Sequence, residues 1–393
     1  MKSITIKKML SCIAVICGIA SAWMLTGCKS NSSADLVVYG KIFTAEGGQM
    51  AEAFAVKDGK YVYVGDKAGD MHFVLGTSWE LDSWMDVDKA LAKASDTKKY
   101  ASEHIKPNWL KLFMDGTVES GTGFVEPLYP DGHQGIPNWS EEELTEITRK
   151  ANAKDITMHV HVMGNKGVNR IVNAFVNGGK DEMRNTLVHV YNVNKEDYQR
   201  MADHNIYVTG GLLWHHATDE LQAELMRILP EGLKDKAYPM KSFFDHGVNV
   251  SSHSDFPALC GSPDDPFSIM EIVLTGVYYP EHAKPLWTEE LLTREQALTA
   301  LTINVAKQMF IENERGSIST GKYADFLLVD KDVLTCPVTE IHTAKPAATY
   351  FEGKKVFSQT VADESAYTPI DYSNETPLGD HAPVSAKFRY LPQ

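Results

Sequence analysis

Gly247-Val-Asn-Val-Ser-Ser-His-Ser-Asp255-Phe-Pro257 reads as a short buried strand that delivers an acid, Asp255, at its C-terminal end. Upstream, Thr157-Met-His159-Val-His161 and Thr186-Leu-Val-His189 are strand-like runs that end in histidine. Trp109-Leu-Lys111-Leu-Phe113 carries a lysine inside an apolar run. Side chains at strand ends converge when the strands lie in one parallel sheet or barrel. Two histidines, an aspartate and a lysine brought together in this way form a set of divalent-metal ligands.

Between these strands the sequence alternates in period. Ser140 with Glu143 forms a capping box that starts a helix running to about Asn152. A second helix is expected from about Lys166 to Gly178-Gly179, and others near Glu196–His204, Asp219–Ile228 and Met240–His246. Thr293 with Gln296 caps a further helix, expected to continue to about Phe310. Repeated βα units imply a parallel sheet, and chemistry gathered at strand ends favours a (β/α)₈-type barrel over an open doubly wound sheet. Five barrel strands are readable, beginning near Lys111, Ile156, Thr186, Ile206 and Val248. Each βα unit needs roughly 30 residues. The span from Gly65 to Lys111 therefore has room for one more, with a strand near Phe73-Val-Leu75 and a helix at Val87–Ala94. The fold class is α/β, a partial TIM-type barrel.

Both ends of the chain change texture. Leu36–Tyr39, Lys41–Thr44, Ala53–Val56 and Tyr61–Val64 are short alternating strands, with Asp58-Gly59 as a hairpin signal. Phe326–Val329, Ala348–Phe351 and Lys354–Phe357 repeat the pattern, with a turn at Glu352-Gly353. The expectation is a small β-sandwich domain assembled from both termini.

The first residues read as a targeting segment. Lys2, Lys7 and Lys8 precede an apolar run from Met9 to Leu25, and Leu25-Thr-Gly-Cys28 resembles the lipobox of bacterial lipoproteins. Cys28 would be the lipidated residue, anchoring the protein to the membrane on the extracytoplasmic side of a bacterial envelope. An uncleaved anchor is the alternative, since 17 residues is near the lower limit for a span. Only Cys260 and Cys336 remain beyond Cys28, too few for a disulfide framework. The net charge of −14 argues against a nucleic-acid partner, whose phosphates require basic surface.

Taken together, His161-Val-Met-Gly-Asn165, His189, Ser254-Asp255-Phe-Pro257 and Gly316-Ser-Ile through Gly321-Lys-Tyr-Ala-Asp325 resemble the amidohydrolase superfamily, in the branch of amidohydrolase 3 and N-substituted formamide deformylase-like proteins. The resemblance covers roughly Leu36–Gly65 and Asn108–Phe357. It implies that His161 and His189 bind a divalent metal, usually zinc, and that Lys111 is carboxylated to give an oxygen ligand. It implies that Asp255 binds metal and acts as general base, then as general acid toward the leaving amine. The implied activity is hydrolysis of a non-peptide carbon–nitrogen bond, amide or formamide, in a small molecule by metal-activated water.

One part of the family pattern is missing. The first barrel strand of the family ends in His-x-His, and between Gly65 and Lys111 the histidines are only His72 and His104. Two readings follow: one ion, at most, held by His161, His189 and Lys111 or Asp255, or a site without catalysis. The non-catalytic reading is a surface lipoprotein that binds a small molecule or partner, or a truncated gene product. A barrel opened by missing strands exposes edges that favour aggregation or association, so an oligomer is left open. The expected division is a signal peptide at 1–27, a tether at 28–34, a composite β domain from 35–70 and 315–360, an incomplete hydrolase barrel at 71–314 and an extension at 361–393.

The remaining site candidates rest on position. His253 lies two residues before Asp255, hence on the same strand face, where it would touch substrate or Asp255, or simply pack. His216 lies beyond the strand at 206–211, and Glu119 follows the lysine strand; both are candidates for substrate contact. His159 shares the inward face with His161 and reads as a lower packing layer. Asp115, beside Glu119 beyond the lysine strand, would recognise a substrate amine or serve as turn chemistry around Gly116, the turn being the preferred reading.

Overall fold

The computed structural model describes residues 36–43, 50–57, 60–65, 72–216, 219–234, 237–255, 265–278, 285 and 287–359. Cys28, Cys260, Phe256 and Pro257 lie outside them. No helix among the described residues is long and apolar enough to cross a membrane.

The centre of the chain is a six-stranded parallel sheet. Its strands are β4 (Leu75–Glu80), β5 (Ile105–Phe113), β6 (Thr157–Val162), β7 (Thr186–His189), β8 (Tyr207–Gly210) and β9 (Val250–Ser252), and they lie side by side in chain order. The helices between them are α1 (Val87–Thr97), α2 (Glu141–Asn152), α3 (Asn165–Gly178), α4 (Asp197–Asp203), α5 (Asp219–Ile228) and α6 (Met240–Asp245). After β9 come α7 (Pro266–Thr275), α8 (Arg294–Leu301) and α9 (Ile303–Gln308). A doubly wound sheet reverses its strand order at a switch point; this one never does. Every crossover runs in the same direction, which gathers the helices on one face and curls the sheet as in a (β/α) barrel. The single unit expected between Gly65 and Lys111 is β4–α1, its strand beginning at Leu75 rather than Phe73.

The helix-facing side of the sheet is the core. Leu110 and Leu112 on β5, Met158, Val160 and Val162 on β6, Leu187 on β7, Val208 on β8 and Val250 on β9 are all fully buried. Each such side chain contributes about 1.5–3 kcal/mol of apolar burial. Helix α3 answers with Val168, Ile171, Val172 and Phe175, an i, i+3, i+4, i+7 stripe that is buried along its length. Both predicted capping boxes form, Ser140 with Glu143 and Thr293 with Gln296. The helix expected to run from Thr293 to Phe310 is broken instead. At Thr302 the backbone leaves the helical region (φ −129°, ψ −93°) while its hydroxyl donates to the Leu298 carbonyl at 2.6 Å, and α9 starts anew.

Each end of the chain adds a three-stranded antiparallel sheet. β1 (Leu36–Phe43), β2 (Met50–Lys57) and β3 (Lys60–Gly65) form one, with Lys57 opposite Lys60 on either side of Asp58-Gly59, two residues outside those described. The two short strands expected at 36–44 are a single strand with an irregularity between Tyr39 and Ile42. β10 (Phe326–Val329), β11 (Pro346–Phe351) and β12 (Lys354–Ser358) form the other, and Glu352-Gly353 turns with both residues at positive φ, as a two-residue hairpin requires.

A buried ionic knot ties this last sheet to the central one. Arg315 is nearly inaccessible and reaches both Asp325, at 2.6 Å, and Glu352. Glu352 in turn meets His104 at 2.7 Å, immediately before β5, and the His104 carbonyl accepts from Leu75 N–H at the start of β4. The guanidinium also lies over the Tyr323 and Phe351 rings. Removing the cation would leave two partly buried acids without it, Glu352 keeping only His104. Arg315→Ala is expected to lower stability by about 3–5 kcal/mol, read as a shift in urea midpoint. A loss under about 1 kcal/mol would show that the knot does not hold the two sheets together.

Candidate active site

The inner face of the sheet is polar and follows the ladder register. In a parallel pair, residues in register point to the same face. Glu80, Lys111, His159 and Thr186 are in register across β4 to β7, and Phe113, His161, Val188, Thr209 and Ser251 form the next layer toward the C-terminal ends. His253 continues that face beyond β9. The Lys111 ammonium lies 4.6 Å from the centre of the Phe113 ring.

His189 breaks this logic. It is in register with Val162, which is buried in the outer core, so alternation would point its ring away from His161. Its φ of +75°, followed by +57° at Val190, turns the chain instead, and the His189 ring packs 4.6 Å from that of His161. A left-handed β-branched valine is an outlier that costs on the order of 1–3 kcal/mol. The turn is held by Val190 N–H donating to the Val162 carbonyl at 2.9 Å and by Tyr191 N–H donating to Met163.

The rim beneath His161 is fixed by Asp115. Its carboxylate is buried and accepts from three backbone amides: Phe124 at 2.8 Å, Met163 at 2.9 Å and Gly164 at 2.9 Å. These bonds join the end of β5, the loop after it and the turn from β6 into α3. Asp115 Oδ1 also stands 3.6 Å from His161 Nδ1. Gly164 is needed at this turn, since a Cβ there would meet the Phe124 carbonyl oxygen at 2.1 Å.

Around this rim the titratable groups crowd together. Ligand atoms of His189, His253 and Asp255 all lie within 4.8 Å of one another. The His189 and His253 rings meet edge to face at 4.8 Å, and Trp214 stacks on His189 at 5.1 Å while standing edge-on to His253 at 5.4 Å. Burial pushes His253 and His159 down to about 3, and His189 lower still, so all three imidazoles are neutral. Burial also brings the Lys111 amine down to about 8, against the pull of Asp255 and Glu80 in the other direction. The Asp255 carboxyl is raised by burial, with Lys111 and His161 opposing. Buried His161 Nδ1, His189 Nδ1 and His253 Nε2 have no hydrogen-bond partner among the described residues. Neutral imidazoles with unmatched nitrogens beside a carboxylate fit a divalent cation.

The sequence-derived candidates thus divide. Lys111, His161, His189, His253 and Asp255 come together. Glu119 sits half-buried near His161 and among Tyr129, Tyr191 and Tyr238, its carboxyl raised by burial. His216 packs against Tyr278 at 5.3 Å, and no described interaction joins it to the histidine cluster. His159 lies one layer below His161 as expected, yet close enough to feel the charges of Lys111 and His253. Trp214 escaped the sequence reading, because an aromatic residue in a loop after a strand carries no signal that it will stack on a histidine 25 positions earlier. A second acidic group, Glu103, His104 and Glu352, is already occupied by the Arg315 cation and is structural.

A six-stranded, single-direction parallel sheet with histidines and an aspartate at its C-terminal rim has the form of a partial (β/α) barrel. The chain belongs to the amidohydrolase family: the sequence model of that family (Amidohydro_3) matches residues 66–357. It is 29% identical over 262 residues to the N-substituted formamide deformylase of Arthrobacter pascens, a match spanning 64% of this chain and 46% of that protein. It is 22% identical over 276 residues to the YtcJ amidohydrolase of Bacillus subtilis (strain 168), spanning 69% and 51%. The chain therefore covers about half the length of these curated relatives. Among solved structures, an uncharacterized metal-dependent hydrolase from Pyrococcus furiosus superposes with a TM-score of 0.53 at 18% identity, over 62% of this chain and 50% of that one. A counterpart from Pyrococcus horikoshii OT3 gives 0.54 at 17% identity, over 63% and 50%.

Asp115→Asn should unsettle the rim, because an amide group cannot accept at both positions now filled by backbone N–H donors. The expected loss is about 2–4 kcal/mol in urea unfolding. A change below about 1 kcal/mol would show that the rim does not depend on the carboxylate charge.

Proposed function

We propose that the protein is a metal-dependent hydrolase that cleaves a non-peptide carbon–nitrogen bond, amide or formamide in type, in a small molecule. The observation that carries this reading is the convergence of donor atoms of His189, His253 and Asp255 within 4.8 Å of one another, with the His161 ring packed on His189 and the Lys111 charge acting on Asp255. Membership of the amidohydrolase family supports the reaction class, and the formamide deformylase relative supports the bond. Zinc is the proposed ion, since histidine and carboxylate donors suit it. A bound divalent metal supplies Lewis acidity, which favours ionisation of water and polarises a carbonyl oxygen.

The residues of the chain do the rest. Asp255 has a raised carboxyl pKa and partial solvent exposure, which suits it to take a proton from the attacking water and return it to the leaving nitrogen. Lys111 keeps an appreciable neutral fraction near pH 8, the form that reacts with CO₂ to give a carbamate oxygen donor. Trp214, with Tyr191, Tyr238 and Trp287 packed behind it, lines one side of the cluster with aromatic surface that favours an apolar substituent on the substrate. Glu119 and His253 remain positioned for polar contacts.

The test is metal content by elemental analysis of the full chain, a thermal melt with and without chelator, and formate or amine release from N-substituted formamides. The expected result is one metal per chain and a melting temperature that falls on chelation. Metal at about 100 times its Kd would stabilise the fold by about 2.7 kcal/mol. His189→Ala should remove both metal and turnover. No bound metal together with an unchanged melt would overturn the hydrolase and leave a small-molecule binder.

We also propose that residues 1–27 are removed, that Cys28 carries lipid on the envelope-facing side of a bacterial membrane, and that the two terminal sheets form one β domain. Labelling cells with a fatty-acid analogue should tag the wild type and leave Cys28→Ala untagged. Equal labelling of both would refute the anchor.

A further inference from the structure

We infer that His253 is a metal ligand, and that His189, His253 and Asp255 form a mononuclear three-residue site complete within the last barrel strands. This rests on the hydrolase reading and deepens it by naming the ligands. Of the described histidines and acids at the sheet rim, these three alone bring their donor atoms within 4.8 Å of one another. Ligands of a tetrahedral ion with bonds of about 2.1 Å sit roughly 3.4 Å apart. Closing from the present spread to that distance takes side-chain adjustments of about 1 Å, with no movement of the sheet.

Two independent features place these donors. His253 continues beyond β9 the inner face that carries Ser251, and Asp255, at a φ of +55°, turns out of the strand with its carboxylate beside His253. His189 reaches the same point only because positive φ at two successive residues turns it inward. The hydrogen bonds from Val190 and Tyr191 to the exit of β6 hold this turn without any ion, so His189 is presented inward before a metal arrives. Each histidine of the pair also has a buried ring nitrogen without a hydrogen-bond partner among the described residues, Nδ1 of His189 and Nε2 of His253. Trp214 packs flat on one ring and edge-on to the other, which limits both to the facing arrangement.

Three protein ligands leave a fourth position open, the arrangement of a catalytic rather than a structural site. His161 is then adjacent to the ion through ring packing on His189, held by Asp115, and is a positioning residue for His189 rather than a ligand of equal weight. The site needs nothing from strands before β4, so the missing His-x-His pair does not prevent metal binding.

The experiment is titration of the metal-free full chain with Co²⁺, followed by visible absorption, which reports stoichiometry and the ligand field without recourse to activity. Wild type should take up one ion per chain. His253→Ala and His253→Asn should each weaken binding by at least about 100-fold, beyond the 10- to 100-fold typical of an outer-shell loss. His161→Ala should weaken it less. The melt of each metal-free variant should match that of the metal-free wild type, and the asparagine variant preserves the site's shape should alanine unsettle the fold. Wild-type affinity and spectrum in both His253 variants would overturn the inference while leaving the hydrolase reading intact. Two ions per chain would overturn its mononuclear part. Failure of the wild type to bind Co²⁺ or Zn²⁺ would overturn both.

Discussion

Three backbone amides converging on the Asp115 carboxylate are the constraint on which the C-terminal rim of the sheet depends. A buried carboxylate is costly unless its oxygens are matched, and here N–H donors from two segments, around Phe124 and at Met163-Gly164, match them. The carboxylate thereby fixes the end of β5 against the exit of β6 and sets the position of His161. The ring of His161 positions that of His189, and His189 faces His253. A single buried acid, itself not facing the cluster's open side, orders the groups that do.

The fold was legible because its signals are local. Val160 and Val162 alternate with His159 and His161, and the period of two announces the strand. Ser140 and Glu143 announce the helix that follows β5. Chain order of the strands follows from the short connections between them. What could not be read was geometry that arises where regular structure ends. His189 was expected at a strand end and its ring packs on His161, yet strict alternation would have turned it outward; the left-handed backbone at His189 and Val190 is imposed by hydrogen bonds to β6, not by a glycine visible in the sequence. Thr302 likewise gave no warning that it would divide one helix into two.

The site shows the same division. His161 and Asp255 were legible because each ends an apolar run beside a turn. His253 was visible, but its approach to His189 depends on how far beyond β9 the strand direction persists. His216 follows β8 just as His161 stands near the end of β6, and only the 3₁₀ turn at Leu212–Trp214 sends it toward Tyr278 while it brings Trp214 onto the cluster. Sequence position fixes which side chains reach the rim. The turn beyond the rim decides which of them meet.

Residue parity in the central strands separates two kinds of information. On β5 and β6 the odd positions, Lys111, Phe113, His159 and His161, carry chemistry, and the even ones, Leu110, Leu112, Met158, Val160 and Val162, carry packing. On β7 the phase is reversed, with Thr186 and Val188 inward and Leu187 outward, until the turn at His189. A combinatorial library built on this sheet can therefore be divided by register. Changes on one face would act on the polar layers, which at Thr186, Val188, Thr209 and Ser251 are themselves buried, while changes on the other would act on packing against the helices.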